Sequence, residues 1–543
     1  MTVMTGGEGL VAGLIDHGID TVFGLPGVQT YGLFDALARA GAKIRVIGAR
    51  HEQACGYMAF GYARSTGRPS AFTVVPGPGM LNAAAAMLTA QSGNEPVLLL
   101  TGQVPTRFLD RGRGHLHEMR DQLATLRSIV KCAERIESPA VSQQMVARAF
   151  QAMLSGRRGM AALEMPWDVF MARAETLPAA PMPLFPPPAV DADQIERAVS
   201  LINAARRPMI FVGSGAIHAR EAVLELAEML DAPVVAFRSG RGIVSNDHEL
   251  GLILPAAYEL WQATDLAIGI GTRMELPDWR WSYRPSELKV IRIDIDPAEM
   301  RRAPADVAVL ADSAAATTAL IEAVSRVGYS RSSSRREEIR AATLKLKAEI
   351  QAIQPQMAYL SALRAVLPRD GFLVEEATQV GFASWFGFPV YEPRTFVSTG
   401  YQGTLGFGFP TALGVKVAHP DRPVVSIAGD GGFMFAAQEL ATAVQYGIGA
   451  VVLVFNNGAY GNVRRDQEQL FDGRVIAAEL TNPDFVKFSE SFGVAAERVD
   501  NPRAFKGALE RALADGAPRL IEIPIKDEVS PWRFIHPPKP GGR

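Results

Sequence analysis

The sequence predicts an α/β protein built from three doubly wound parallel-sheet domains. Short apolar, strand-like runs alternate with alanine-rich helical runs along most of the chain, as in sheets covered by helices. Segments of different composition interrupt this alternation, and 543 residues are too many for one hydrophobic core. We therefore place the domains at residues 1–176, 189–328 and 355–543.

Composition excludes several classes of protein. With 55 basic and 57 acidic residues the formal net charge is -2, so the chain lacks the basic field that nucleic-acid binding needs. We see no apolar run near the ~20 residues of a membrane span and no secretory signal pattern at the start. Cys55 and Cys132 cannot form a disulfide scaffold. We expect a cytoplasmic protein that binds neither nucleic acid nor membrane.

The first domain is predicted from three strand candidates and a helix. The strand candidates are Ile44–Ile47, Ser70–Val75 and Pro96–Thr101, and the helix is Glu52–Arg64. The proline-rich stretch Leu177–Pro188 cannot donate backbone hydrogen bonds regularly, so we interpret it as an interdomain linker.

The second and third domains repeat the alternation. The second has strand candidates at Pro208–Val212, Leu266–Gly271 and Lys289–Ile295. The third has strand candidates at Phe372–Glu375, Val424–Ala428, Val451–Phe455 and Arg519–Ile523, and a helix predicted at Phe433–Tyr446.

Two strand ends in the third domain carry a candidate phosphate and metal site. Asp430 follows one strand between the glycines Gly429, Gly431 and Gly432, which let the backbone approach a ligand closely. A helix start beyond them would favour a phosphate. Asn457 ends the next strand, and its amide oxygen together with the Asp430 carboxylate suits Mg²⁺. Either fragment alone is also explained as a simple turn.

Taken together, the two fragments resemble the signature of thiamine diphosphate-dependent enzymes, in which GDG is followed by NN. Here 27 positions separate Asp430 from Asn457. The resemblance implies that thiamine diphosphate and Mg²⁺ are the cofactors, and that Asp430, Asn457 and the carbonyl of Ala459 are the metal ligands. It implies a pyrimidine-binding, a central and a diphosphate-binding domain, in that order, and we include Tyr460 among the cofactor-binding residues.

The same resemblance assigns a catalytic role to Glu52. The run HEQACGYMAFGYAR beginning at His51 matches the family segment that carries the activating glutamate. A carboxyl bonded to N1′ of the aminopyrimidine favours the imino tautomer, whose 4′-nitrogen removes the proton from thiazolium C2. By itself, a glutamate at a helix start is also explained as compensation of the helix dipole.

A third matching segment begins at Tyr401. In the family a large apolar side chain beneath the cofactor bends it, so that the 4′-nitrogen meets C2. The match places Leu405 in that role and lets the Gly403 carbonyl accept a hydrogen bond from the 4′-amino group. Without the resemblance, Leu405 would be interpreted as a core residue.

Within the family, many segments resemble the acetolactate synthase catalytic subunit and some resemble benzoylformate decarboxylase. The synthase-like segments include GLPG at Gly24–Gly27, GQVPT at Gly102–Thr106 and RIDIDPAEM at Arg292–Met300. The run NNGAYGNVR and Leu405 are closer to the decarboxylase. The chain also departs from both branches, since Asp466 stands where synthases usually have tryptophan.

The loop Gly114–Gln122 departs from the synthases as well. It carries Leu116, His117 and Glu118 where they have phenylalanine, glutamine and glutamate. His115 and His117 are candidate catalytic residues, because a histidine facing the cofactor could transfer protons or orient a substrate carboxylate. A surface loop explains them equally well.

The synthases also carry a non-redox flavin in the central domain. This chain keeps GTR at Gly271–Arg273 and the run DIDP, but lacks the His-Gly turn expected between Gly251 and Asp265. On these residues FAD binding is doubtful.

The leading hypothesis is a thiamine diphosphate-dependent 2-oxo acid decarboxylase or carboligase, similar to acetolactate synthase. It would release carbon dioxide from a small 2-oxo acid and pass the remaining carbon unit to a carbonyl acceptor. The alternatives are an aryl 2-oxo acid decarboxylase similar to benzoylformate decarboxylase, and a non-catalytic regulatory relative. The resemblance also implies a homodimer or homotetramer with active sites at the subunit interface.

Overall fold

A computed structural model describes residues 2–176, 178–329, 334–526 and 528–539. Leu177, the first residue of the predicted linker, lies outside these segments. Over the segments described, none of the helices has the length and apolar character needed to cross a membrane.

The first domain is a six-stranded parallel sheet with helices on its faces. Its strands are β2 (Thr21–Gly24), β3 (Arg45–Gly48), β4 (Ser70–Val74), β5 (Val97–Gln103), β6 (Cys132–Arg135) and β7 (Ala161–Pro166), in the order β3-β2-β4-β5-β7-β6. A separate antiparallel ribbon pairs β1 (Thr2–Thr5) with β8 (Arg173–Thr176). The helices are α1 (Gly6–Asp16), α2 (Tyr31–Ala40), α3 (Glu52–Thr66), α4 (Pro78–Asn82), α5 (Ala84–Gly93), α6 (Gln122–Ile129), α7 (Ser142–Leu154) and α8 (Trp167–Met171).

The central domain is a second six-stranded parallel sheet. Its strands are β9 (Pro208–Val212), β10 (Val234–Ala236), β11 (Gly251–Leu252), β12 (Leu266–Ile270), β13 (Lys289–Asp294) and β14 (Val307–Leu310), in the order β11-β10-β9-β12-β13-β14. Its helices are α9 (Ala192–Ala204), α10 (Arg220–Leu230), α11 (Leu254–Trp261), α12 (Pro297–Arg302) and α13 (Ser313–Arg326), and α14 (Arg336–Glu349) leads on to the third domain.

The third domain repeats the plan. Its strands are β15 (Phe372–Glu375), β16 (Phe396–Ser398), β17 (Val424–Gly429), β18 (Val451–Asn456), β19 (Ala495–Arg498) and β20 (Arg519–Pro524), in the order β16-β15-β17-β18-β20-β19. Its helices are α15 (Gln356–Val366), α16 (Gln379–Gly387), α17 (Gly408–Ala418), α18 (Asp430–Met434), α19 (Glu439–Tyr446), α20 (Gly461–Leu470), α21 (Phe485–Ser491) and α22 (Pro502–Asp515).

The doubly wound α/β class is confirmed, and the predicted strands agree with the structure to within two residues at each end.

The helix predicted at Phe433–Tyr446 is wrong in two respects. It begins three residues earlier, at Asp430, and turns at residues 435–438 divide it into α18 and α19. There the amides of Phe435 and Ala436 bond to carbonyls three residues back, which tightens the backbone out of the α-helical pattern. The domain boundaries remain predictions.

Each sheet has an interior reversal of strand order, between β2 and β4, between β9 and β12, and between β15 and β17. Ligands of doubly wound sheets bind at the carboxyl ends of the strands beside such a reversal. We therefore expect ligands at these positions.

The first and third domains share a hydrophobic core in which α3 crosses α17. Glycines allow the close approach, since a Cβ at Gly61 would overlap the carbonyl oxygen of Thr411 and one at Gly414 would overlap that of Met58. Separately, the C-terminal segment lies on the central domain. There the Tyr258 hydroxyl donates to the Pro538 carbonyl at 2.8 Å, and the Ser282 hydroxyl donates to the Pro537 carbonyl at 2.8 Å.

Candidate active site

Asp430 and Asn457 lie at neighbouring strand ends in the third domain. β17 and β18 pair in parallel with Gly429 opposite Phe455, so the residues that follow both strands emerge at the same sheet edge. Asn482 joins the two ends, because its side-chain amide donates to the Asp430 carboxylate at 2.6 Å and to the Asn456 side chain at 3.1 Å. Burial raises the pKa of Asp430, and the hydrogen bond from Asn482 opposes that shift.

The loop after β18 is held by the strand-like segment opposite it. The amide of Tyr460 donates to the Ala478 carbonyl at 2.8 Å, and the amide of Leu480 donates to the Gly458 carbonyl at 2.8 Å. The Tyr460 ring packs over Gly431, where an added Cβ would come within 2.6 Å of it. The loop that carries Asn457 and Ala459 is therefore fixed against the turn that carries Asp430.

These residues fit a magnesium diphosphate. A carboxylate, a carboxamide oxygen and a backbone carbonyl are hard, oxygen-donor ligands of the kind that Mg²⁺ takes. Gly431 and Gly432 have no side chain to keep a diphosphate from the N-terminus of the GDGG turn. In the part of the chain that the structure describes, no cluster of three or more His, Cys, Asp or Glu side chains could hold a metal ion. With a single carboxylate, this site would depend on the diphosphate's charge to hold Mg²⁺.

Glu528 is a further acid at this site. Its carboxylate accepts a hydrogen bond of 3.3 Å from the side-chain amide of Asn457. Burial raises the pKa of Glu528 to about 7, partly opposed by that hydrogen bond.

Leu405 and Gly403 lie on a loop beside the same turn. Residues 399–407 form turns rather than a helix or strand. A Cβ added to Gly432 would lie 3.6 Å from Leu405 Cδ2, so Leu405 faces the GDGG turn. The Thr404 hydroxyl is 2.6 Å from the hydroxyl of Tyr57 on α3, which ties this loop to the first domain.

Glu52 is the first residue of α3. His51 precedes it in an extended conformation, and its side-chain nitrogen accepts the Gln53 amide at 3.1 Å, so His51 caps the helix. The side-chain amide of Asn82 donates to the Glu52 carboxylate at 3.0 Å. A Cβ at Gly79 would lie 3.4 Å from the other carboxylate oxygen, which places the GPG turn of residues 77–79 against Glu52.

The two candidate histidines have different surroundings. His117 adopts a left-handed conformation with φ of 65°. Its ring nitrogen lies 2.9 Å from the side-chain oxygen of the buried Gln29, and its carbonyl oxygen would lie 2.5 Å from a Cβ at Gly77. The ring of His115 instead stacks on Phe108, 4.7 Å between centroids. The structure thus places His117 against the turn that reaches Glu52, and His115 on another part of its own loop.

A cavity of about 670 Å³ lies at the reversal of the central sheet and is lined by residues of all three domains. Its wall includes Gly213–Gly215, Gly271–Arg273 and Ser398–Tyr401. Arg273 lies over the ring of Tyr401, 4.6 Å from its centroid. The cavity therefore adjoins the start of the loop that carries Gly403 and Leu405.

Family models match all three domains in the expected order. The N-terminal TPP binding domain of thiamine pyrophosphate enzymes matches residues 4–125, the central domain matches residues 195–320, and the C-terminal TPP binding domain matches residues 376–523. The chain belongs to the thiamine pyrophosphate enzyme family. Thiamine pyrophosphate is the thiamine diphosphate expected from the sequence.

Three relatives of this thiamine pyrophosphate enzyme align along nearly its whole length. A probable 2-ketoarginine decarboxylase of Pseudomonas aeruginosa is 34% identical over 534 residues, covering 96% of this chain and 94% of the relative. A probable acetolactate synthase large subunit of Methanocaldococcus jannaschii is 32% identical, covering 99% and 94%. The acetolactate synthase isozyme 3 large subunit of Escherichia coli is 30% identical, covering 94% and 93%.

Four residues at the candidate site of this thiamine pyrophosphate enzyme were missed in the sequence: Asn82, Asn482, Glu528 and Glu376, whose carboxylate lies against Gly432 of the GDGG turn. Asn482 and Glu528 sit in loops with no pattern that points to a ligand. Glu376 did have a signal, because it directly follows a predicted buried strand, as Asp430 does.

Proposed function

We propose that this thiamine diphosphate-dependent enzyme decarboxylates a 2-oxo acid and transfers the remaining carbon unit to a carbonyl acceptor, as an acetolactate synthase does. The observation that carries the proposal is the convergence of Asp430, Asn457 and Leu405 on the turn at one sheet edge. The presence of Glu52 at the start of α3 argues against a non-catalytic relative.

At the diphosphate end, the protein's part is binding. The Asp430 carboxylate, the Asn457 side-chain oxygen and the Ala459 carbonyl would hold Mg²⁺ against the diphosphate. The amides of the GDGG turn, at Gly429, Gly431 and Gly432, would face its oxygens. The side chains of Asn482 and Glu528 orient Asp430 and Asn457 before the ligand arrives.

At the reacting end, the protein would bend the cofactor and share a proton with its aminopyrimidine ring. Bound thiamine diphosphate supplies the carbon nucleophile and the electron sink. Glu52 would share a proton with N1′ of the aminopyrimidine, Leu405 would enforce the bend, and the Gly403 carbonyl would accept from the 4′-amino group. The hydrogen bond from Asn82 holds the Glu52 carboxylate at the start of α3.

For substrate handling, His117 is the stronger of the two candidate histidines. Gln29 holds one of its ring nitrogens and leaves the other to transfer a proton or meet a substrate carboxylate. His115, stacked on Phe108, would act indirectly by shaping the loop.

The active sites are proposed to form between subunits of a homodimer or homotetramer. Apolar side chains are exposed next to both halves of the site in a single chain. Leu81 and Leu88 are exposed on α4 and α5 of the first domain, and Met434, Phe435 and Val444 are exposed along the segment that follows Asp430 in the third domain. Covering both patches with a second copy would bring the first domain of one chain to the third domain of another.

The sequence makes flavin binding doubtful, and we propose that this chain binds no flavin. The segment between Gly251 and Asp265 forms β11 and α11 instead of a glycine-rich turn. The cavity of about 670 Å³ is the feature that argues the other way. The visible absorption spectrum of the purified protein decides between the two.

The proposed reaction is tested with a panel of 2-oxo acids, following carbon dioxide release and identifying the products. Conversion of pyruvate to acetolactate would support the synthase reaction. Benzaldehyde from benzoylformate would support the aryl decarboxylase alternative, which the NNGAYGNVR run favours. 2-Ketoarginine belongs in the panel because of the Pseudomonas relative, and Asp466 offers a carboxylate where synthases have tryptophan. Failure of every 2-oxo acid to release carbon dioxide would contradict the proposal.

A further inference from the structure

Glu376 is a buried carboxyl group at the reversal of the third sheet. It follows β15 directly, and its residue surface is 1% exposed. One carboxylate oxygen accepts the backbone amide of Gly406 at 2.7 Å, and the other accepts that of Gly408 at 2.8 Å. These two amides lie just after Leu405, on the loop that carries it.

The same carboxyl group also meets the diphosphate turn. A Cβ added to Gly432 would overlap its first oxygen, and one added to Gly408 would lie 2.8 Å from its second. The carboxyl therefore occupies space that two glycines leave free. Three segments, namely the end of β15, residues 406–408 and the GDGG turn, meet at this one group.

Burial of this group is unfavourable unless its hydrogen bonds compensate. Burial raises the pKa of Glu376 to about 7, and the two amide donors oppose the shift. An apolar side chain could fill the space but could not accept hydrogen bonds from the two backbone amides. The contribution of the carboxyl group is therefore that it fixes the position of those amides.

The loop depends on such contacts for its position. Residues 399–407 form neither a helix nor a strand, and Gly403 and Gly406 have φ of 59° and 76°, which glycine adopts readily, so the segment lacks the regular hydrogen bonding that would fix its position. Tyr57 holds the loop at Thr404, and the Glu376 carboxyl holds it at Gly406 and Gly408. Leu405 lies between these two attachments.

We propose that Glu376 is a positioning residue, which sets Leu405 and the Gly403 carbonyl against the diphosphate turn through the amides of Gly406 and Gly408. This inference rests on the proposed function, because it concerns the loop that would bend the cofactor. Glu376 itself touches backbone amides and not the reacting atoms.

The test compares Glu376→Gln with Glu375→Gln. The glutamine retains one acceptor oxygen, but its amide group turns a donor toward the other backbone N–H. Glu375 is the matched control, since it is equally buried one residue earlier, at the end of β15, but its carboxyl group has Ser398, Trp385 and the guanidinium groups of Arg238 and Arg241 as neighbours. Amide hydrogen exchange in the cofactor-free protein, read in peptides that contain Gly406 and Gly408, is the first readout.

Exchange at these two amides should rise roughly ten- to hundredfold in Glu376→Gln, the range expected when a hydrogen bond to a charged group is lost. Glu375→Gln should leave it unchanged. In the loaded enzyme, kcat and the rate of proton exchange at thiazolium C2 should fall by a similar factor, while KM and the affinity for thiamine diphosphate with Mg²⁺ change less. A general loss of structure would instead alter all four quantities.

If Glu376→Gln does not fold, Glu376→Asp serves instead, because it keeps both oxygens but withdraws them by one methylene, so both readouts should move in the same directions. Parent-like amide exchange and parent-like kcat in the folded variant would overturn the inference. If the parent protein does not bind the cofactor, the proposed function is contradicted. The amide exchange, measured without cofactor, would still report on the role of Glu376 in the loop.

Discussion

At the scale of single residues, the carboxylates of Glu52 and Asp430 have different surroundings. Glu52 begins a helix, and its carboxylate accepts one hydrogen bond from a side-chain amide, that of Asn82. Asp430 is buried, and its carboxylate accepts a hydrogen bond from the side-chain amide of Asn482. Substitution of the first should alter a proton transfer, and substitution of the second should alter binding.

Glu52→Gln should slow proton exchange at thiazolium C2 greatly, while the free energy of unfolding changes by less than ~1 kcal/mol, as for a lost helix-start charge. The glutamine can still hydrogen-bond N1′ but cannot share a proton with it. NMR in deuterated buffer follows C2 exchange without knowledge of the substrate. Glu8→Gln is the control, since Glu8 is also a first-turn glutamate, in α1. Exchange as fast in Glu52→Gln as in the parent would mean that Glu52 is only a structural charge.

Asp430→Ala should weaken thiamine diphosphate binding at least roughly 100-fold, because changes that touch only a metal's outer shell already cost 10- to 100-fold. Titration calorimetry with cofactor and Mg²⁺ measures the affinity. Asp191→Ala, which removes the capping aspartate of α9 in the central domain, should leave the affinity unchanged. Parent-like affinity in Asp430→Ala would remove Asp430 from the metal site.

At the scale of elements, α3 is the helix on which the other parts of the site depend. It begins at Glu52, its residues Ala54–Ser65 are all buried, and it crosses α17 at two glycine contacts. α19 of the third domain also meets its start, because the Glu439 carboxylate accepts the Arg50 amide at 3.1 Å. Changes at these contacts should affect stability rather than a chemical step.

Gly61→Ala should destabilise the protein by roughly 1–3 kcal/mol, because the new methyl group overlaps the Thr411 carbonyl in a packed helix crossing. Gly507→Ala in α22 is the matched control. Its Cβ would approach only the Arg511 side chain, at 3.4 Å, so the gain in helix propensity should stabilise by up to ~1 kcal/mol. Calorimetric melting of both variants gives the comparison, and equal shifts would contradict close packing of α3 on α17.

Glu439 should make stability depend on pH. Burial raises the pKa of Glu439 to about 7, opposed by hydrogen bonds from Thr442 and Arg50. The folded state therefore binds the proton more tightly than the unfolded state, and stability rises as pH falls through 7. From about pH 8 to about pH 6 the parent should gain roughly 1 kcal/mol of stability relative to Glu439→Gln. Urea denaturation of both proteins at both pH values tests this, because Glu376 and Glu528 titrate in both and cancel. Parallel pH profiles would contradict the prediction.

The strands were predicted more accurately from the sequence than the helices were. The hydrogen-bond partners within the candidate site were not predicted. Buried parallel strands are continuous apolar runs, which can be recognised locally, as in Val451–Asn456. The break between α18 and α19 and the partners Asn482 and Glu376 depend on residues far apart in the chain. Asn482 lies 52 positions from Asp430, and Glu376 lies 30 from Gly406. Such pairs become visible only when the sheet order is known.

At the scale of the whole molecule, each chain is proposed to supply half of two different active sites. Mixing Glu52→Gln with Asp430→Ala subunits should then restore part of the activity, because a mixed pair contains one site with both intact halves. Each variant assembled alone is the control and should stay inactive. A fully active monomer in light scattering would contradict the arrangement.

The contact of the C-terminal segment with the central domain has a consequence for the order in which the chain is made. Tyr258 and Ser282 find their carbonyl partners, Pro538 and Pro537, about 255 to 280 positions later. During synthesis, the central domain leaves the ribosome first, and these hydrogen bonds can form only after the entire third domain has been made. Loss of the segment that contains Pro537 and Pro538 would therefore destabilise the central domain, although the two regions are far apart in the sequence.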